Sequence, residues 1–369
     1  MNKIFLLFIL LTFGLSLQAQ SKLRPGFDPE EYKQLLKVSI RHMDSVKYPY
    51  KGLLAAYPKY KMVYESPVTG IYNMWQLWIS PNNVGLVVIR GTVPKMESWM
   101  ENFYSGMIPA QGRFRIDSNR YFDYKVAQDS NAYVHAGWMI GLAALAPDIV
   151  KQINHYYKKG VHDFIIFGHS QGGAIAFLLR SYLEYMQPAL PRDITLKTYS
   201  SAAPKPGNLY YAYDYNLITR GGWGLRVVST ADWVPEMPFS IQSLSDVNND
   251  SPFEQGKDLL NELPFFKRKY LTHVYNKLDK SSRKAQKEYT KYLGEKACEF
   301  IQKSLPAYEK PDFVNSFNYS TCGTPVILRP EKTYWENYYT QNKKEYGLFI
   351  HHHYYAYYRL VMYWYPERG

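Results

Sequence analysis

Gly168-His169-Ser170-Gln171-Gly172 is the segment that most narrows what this chain can fold into. It matches G-x-S-x-G, a pattern that places a serine on a sharp strand-to-helix turn with strained backbone angles. Glycines are needed because the flanking chain passes too close for a side chain. The pattern alone is common, so the argument rests on its flanks. Asp163-Phe164-Ile165-Ile166-Phe167 reads as a short buried strand entering the turn. Gln171 to Tyr185 reads as a helix leaving it and stopping before Pro188, with Gly173, Ala174 and Ala176 small enough to pack closely on a sheet. The bland alternative is a glycine-rich turn with a bystander serine. If Ser170 is a nucleophile, it needs a base, an acid behind the base and donors for an oxyanion.

The rest of the chain supplies a setting for that turn. Asp28-Pro29-Glu30-Glu31 has the signature of a helix start, with Tyr32, Leu35, Leu36 and Met43 on one face. Two strands are expected at Met74 to Ile79 and Gly85 to Ile89, then a helix from Gly137 to Tyr157. Further strands are expected at Thr195 to Tyr199, Leu225 to Ser229 and Pro325 to Leu328. Strands alternating with helices predict an α/β fold, a mostly parallel sheet covered on both faces. Composition shifts after Pro238. Residues 241–315 are Lys-rich and read as a helical insertion, with Ala285, Tyr289, Tyr292, Leu293, Ala297, Phe300 and Ile301 as its apolar stripe. The expected organisation is a core from 20 to 240, the insertion from 241 to 315, and a return to the core from 316 to 369.

Five segments, taken in order, resemble the class 3 lipase family, the α/β-hydrolases that include the fungal triacylglycerol lipases. Val88-Ile89-Arg90-Gly91-Thr92, with Trp99 and Asn102, is similar to the family's oxyanion segment. Val134-His135-Ala136-Gly137-Trp138, the Ser170 turn, Tyr199 to Asn208, and Ser229 to Pro238 resemble its later elements, the last as D-x-V-P-x-x-P. The resemblance implies an α/β-hydrolase fold and a serine ester hydrolase that needs no metal or organic cofactor. It implies Ser170 as nucleophile, Asp232 as triad acid, and Thr92 and Gln171 as oxyanion donors. His135 is implied to be a supporting residue. The segment from Pro94 to Met107 stands where the family carries its lid, though an amphipathic helix packed on the core would read the same way.

In these folds the triad follows the order Ser, Asp, His, so the base should lie beyond Asp232. His273 and His351-His352-His353 are the candidates. His273 falls in the Lys-rich insertion. Family spacing to the aromatic run from Tyr354 favours His352, with His353 as the alternative. Three adjacent histidines cannot all point one way. A metal-binding tract is the rival reading of the three.

Lys3 followed by Ile4 to Leu11 and then Ser16-Leu17-Gln18-Ala19 reads as a signal peptide, residues 1–19, cut after Ala19. The expected location is therefore secreted or periplasmic. Two cysteines remain, Cys298 and Cys322, either paired or free. The net charge of +12 favours anionic partners, a membrane surface among them, and no nucleic-acid motif is present. The expected function is a lipase acting on acyl-glycerol esters. A phospholipase, a non-lipid esterase and a non-catalytic binding protein are the alternatives. The sequence leaves the oligomeric state open.

Overall fold

A computed structural model describes residues 21–43, 58–186, 190–248 and 263–366. The expected signal peptide lies outside the described residues. Seven strands form the central sheet: β1 (Lys61–Glu65), β2 (Trp75–Ile79), β3 (Gly85–Ile89), β4 (Asp163–His169), β5 (Thr195–Ser201), β6 (Gly224–Ser229) and β7 (Thr324–Leu328). They lie side by side in chain order. β1, β2 and β3 pair antiparallel, and β3 through β7 are all parallel. This is the mostly parallel sheet that the alternation of strands and helices predicts.

Parallel neighbours in sequential order require crossovers of one hand, which puts the connecting helices on the same face. Helix α1 (Pro29–Met43) precedes the sheet; α2 (Met96–Phe103) and α3 (Ala136–Tyr157) join β3 to β4; α4 (Gln171–Tyr185) joins β4 to β5. Side chains alternate along each strand, so one strand feeds two cores. Val87, Ile89, Phe164 and Ile166 point into the core shared with α3 and α4. Leu86, Val88, Ile165 and Phe167 point the other way, onto Tyr32, Leu35 and Leu36 of α1. Asp28 caps α1 by accepting from the Glu30 and Glu31 amides.

Beyond β6 the chain forms α5 (Phe265–Tyr289), a π-helical turn (Thr290–Lys296) and α6 (Ala297–Ser304). The apolar stripe expected from the sequence holds at Ala297 and Ile301, which are buried, and departs at Tyr292 within the π turn. There Tyr292 points outward while Gly294 and, in the helix that follows, Cys298 are buried. At Gly294 the helix approaches Gly106 closely enough that a Cβ on Gly106 would sit 2.7 Å from the Gly294 Cα. The thiols of Cys298 and Cys322 are both free and buried. β7 then returns to the sheet edge, and α7 (Tyr354–Trp364) packs against α1 over the second core.

The hairpin of Gln111–Asp117 and Arg120–Lys125 was not anticipated. Its alternation of Arg113, Phe114, Arg115 and Ile116 is a period-two signal in the sequence, and Phe114, Ile116, Phe122 and Tyr124 are its buried side. Among the described residues no helix is long and apolar enough to cross a membrane.

Candidate active site

β4 ends at His169 and α4 starts at Gln171, leaving Ser170 alone on the turn between them. Its φ of 60° and ψ of −130° lie where a residue with a Cβ rarely sits. The flanking glycines follow from contact. A Cβ on Gly168 would lie 2.0 Å from the Gly172 carbonyl oxygen, and one on Gly172 would lie 2.3 Å from that of Ile89. β3, β4 and α4 therefore meet almost backbone to backbone beneath the serine. The first amides of a helix have no partner within it, and Gln171 is the first residue of α4. Its side chain is turned aside, donating to the Ser98 carbonyl at 3.3 Å.

Asp232 follows the end of β6 and is buried. Its Oδ1 accepts from the Val234 amide at 3.1 Å. Its Oδ2 accepts twice, from His352 Nδ1 at 2.8 Å and from the Tyr357 hydroxyl at 2.7 Å. Nδ1 carries the proton in that bond, which leaves Nε2 of a neutral His352 as an acceptor. His352 and Ser170 line the same cavity of about 310 Å³.

The three tail histidines diverge. His351 Nδ1 bonds to the Tyr334 hydroxyl at 2.9 Å, and its ring stacks on Tyr339. His353 Nδ1 accepts from the Tyr355 amide, capping α7, and burial pushes its pKa down to about 4. His352 is the member of the trio whose ring meets Asp232. His273 lies on the exposed side of α5 and lines neither cavity beside Ser170.

Thr92 lies just beyond the end of β3, and its hydroxyl oxygen accepts from Asn102 Nδ2 at 3.0 Å. The hydroxyl proton is thereby free to point elsewhere. Asn102 is held from two sides. Trp138 Nε1 donates to its side-chain oxygen at 3.0 Å, and His135 Nε2 donates to its carbonyl at 3.1 Å. His135 is fully buried, stacks on Trp138 and caps α3 through Nδ1; burial pushes its pKa down to about 3. It lines neither cavity beside Ser170.

Sequence reasoning missed two residues. Tyr357 stands in the sequence as one member of the aromatic run from Tyr354, yet its hydroxyl also accepts from the Ser229 amide at 3.0 Å and so ties α7 to β6 at Asp232. His169 fills the first unspecified position of the G-x-S-x-G pattern. Its Nδ1 lies 2.9 Å from the Ser201 hydroxyl, and its Nε2 lies 2.8 Å from the His352 carbonyl. Burial beside His352 holds its pKa well below the ordinary value. No local signal in the sequence marks either contact.

Ser170 also faces a second cavity, about 240 Å³, walled by Trp99, Phe103, Trp138, Trp233, Val234, Met237, Phe239 and Leu293. Phe349 lies between Trp99 and Trp233, at 5.7 and 5.6 Å between ring centres, and divides this apolar chamber from the one that holds His352. α2 is a packed helix: Ser98 and Glu101 are buried, and Glu101 accepts from Asn73 through both oxygens. Met96 and Phe103 stay exposed.

The family model described as Lipase (class 3) matches residues 86–242. Over this segment the chain is similar to the class 3 lipase family. The match includes Thr92, Ser170, Gln171 and Asp232, and it ends before α5 and the tail histidines. A triacylglycerol lipase of Ricinus communis is 27% identical over 192 residues, covering 43% of this chain and 36% of the relative. The chain thus spans about a third of the length of this curated relative. Among solved structures, the Rhizomucor miehei lipase–propeptide complex is 17% identical with a TM-score of 0.39, over 58% of this chain and 65% of that one. A Yarrowia lipolytica lipase is 19% identical with a TM-score of 0.42, over 59% and 78%.

Proposed function

We propose that this class 3 lipase-type protein is a serine hydrolase of carboxylic esters with an apolar acyl group, acyl-glycerols foremost. The observation that carries the reading is the Asp232–His352 bond at 2.8 Å, with His352 sharing a cavity with a strained Ser170. In this mechanism His352 Nε2 takes the Ser170 proton as the oxygen attacks the ester carbonyl. Asp232 holds the tautomer and offsets the imidazolium charge. The Gln171 amide and the Thr92 amide and hydroxyl receive the oxyanion. His352 then gives its proton to the leaving alcohol, so the alcohol departs into the chamber beside His352. The acyl chain therefore lies in the opposite chamber, the apolar one. Water releases the acyl group by the same steps.

The Lys3-to-Ala19 segment supports export before this chemistry takes place. A fluorophosphonate probe tests the nucleophile directly. It should label Ser170 in the folded protein and leave Ser170→Ala unlabelled. A folded wild-type chain that takes no label on Ser170 overturns the reading. A chain-length series of nitrophenyl esters then separates a lipase from an esterase of short acids.

A further inference from the structure

The densest run of positive charge lies outside the family match. Over its 25 residues α5 carries eight Lys and Arg against two acids, Asp279 and Glu288. Asp279 is already paired with Arg283 at 2.6 Å. The C-terminal end of α5 is fixed. Gln286 is buried and donates to the Ile241 carbonyl at 2.9 Å, and Tyr289 packs on Phe239 and Phe317. The rest of the helix exposes large apolar groups, Phe266 at 83%, Tyr270 at 68% and Leu278 at 65%. Tyr270, Val274 and Leu278 follow one another at four-residue steps and form a stripe. Lys269, Lys280, Lys284 and Lys287 are exposed on the adjoining face.

Cations alone would suit any polyanion. Exposed aromatic and aliphatic groups beside them suit a boundary that is charged on one side and apolar on the other. Lysine stems can lie along such a boundary with their ammonium groups among phosphates. We propose that α5 is a docking helix for an anionic lipid bilayer. Phe266, Tyr270 and Leu278 enter the acyl boundary, and Lys269, Lys280 and Lys284 meet the phosphates. The fixed end of the helix abuts the apolar chamber: Phe239 and Leu293 line it, and the Leu293 carbonyl accepts the Gly106 amide at 2.9 Å. Docking through α5 therefore sets that chamber beside the lipid. The inference goes beyond the hydrolase reading and stands without it.

Flotation of the full chain carrying Ser170→Ala, with vesicles of phosphatidylcholine or of phosphatidylcholine and phosphatidylserine, tests the proposal. The protein should float with the phosphatidylserine vesicles, far less with the neutral ones, and less at high salt. A Lys269→Glu, Lys280→Glu, Lys284→Glu variant and a Phe266→Asp, Tyr270→Asp variant should each lower partitioning by about tenfold or more. Both should keep the parent Tm. With Ser170 restored, both should also keep the parent turnover of a soluble nitrophenyl ester. Equal flotation with both vesicle types overturns the proposal, as does unchanged flotation of either variant. Binding to an oligonucleotide or an acidic protein that needs the lysines but not Phe266 and Tyr270, without flotation, also overturns it. Vesicle binding by a chain that hydrolyses no ester would fail the hydrolase reading alone.

Discussion

His169 donates its Nε2 proton to the main-chain carbonyl of His352, 2.8 Å away. A carbonyl only accepts, so this bond sets the tautomer of His169. Nδ1 is then an acceptor, and the Ser201 hydroxyl, itself 2.6 Å from Tyr32 Oη, supplies the proton. The residue before the nucleophile thus holds the backbone of the histidine that faces it.

Replacing His169 by Phe should keep the packing and remove that tether. We expect kcat on a soluble ester to fall by about tenfold with KM little changed, because His352 is misplaced while the binding walls are intact. Steady-state kinetics with a Tm measurement checks this. An unchanged kcat in a folded variant would show that the tether does not matter to turnover.

Tyr357 should act on the acid in a related way. Tyr357→Phe removes one of three hydrogen bonds to a buried carboxylate and leaves the Ser229 amide without its acceptor. A loss of about 1.5–3 kcal/mol is typical for a bond to a charged group, divided here between stability and turnover. Both Tm and kcat should fall, and a variant that loses neither would contradict the role assigned to this hydroxyl.

Asn102 orients Thr92, so the two should not be independent. Thr92→Val is expected to lower kcat by about a hundredfold if its hydroxyl meets the oxyanion. Asn102→Leu should cost about tenfold. The double variant should be close to Thr92→Val alone, because the amide acts through the hydroxyl. Strictly additive losses would refute this order of action.

His135 links the site's support to pH. In the folded chain its pKa is depressed to about 3, whereas the unfolded chain protonates near 6.5. The unfolded state therefore binds the extra proton first as pH falls. Stability should be full above about 6.5 and drop toward about 3, with a slope of at most about 1.4 kcal/mol per pH unit from this residue. His135→Asn keeps a group able to cap α3. Urea midpoints measured across this range should fall less steeply in the variant than in the wild type.

How much of this could be read beforehand depends on the range of the interactions. The elbow is a local device. Its strand, its glycines and its small-residue helix lie within about two dozen positions, and close backbone approach leaves few other residue choices. The buried strands announce themselves by continuous apolar runs, and their alternation with helices makes the sheet parallel. Asp232 follows because it directly succeeds such a strand. The sequence by itself therefore determined the α/β architecture, the position of Ser170 and the end of the sheet at which a site would form.

Tertiary structure decided the rest. His351, His352 and His353 are the same residue type in a row, and which ring faces Asp232 depends on a bond across 120 positions. The tethers from Tyr357 to Asp232 and from His169 to His352 span 125 and 183 positions. The π turn that turns Tyr292 out of the expected stripe brings Gly294 against Gly106, nearly two hundred residues earlier in the chain. A hydrogen bond has no sequence period when its partners arrive from different strands and helices, so only their packing brings donor and acceptor to the same place.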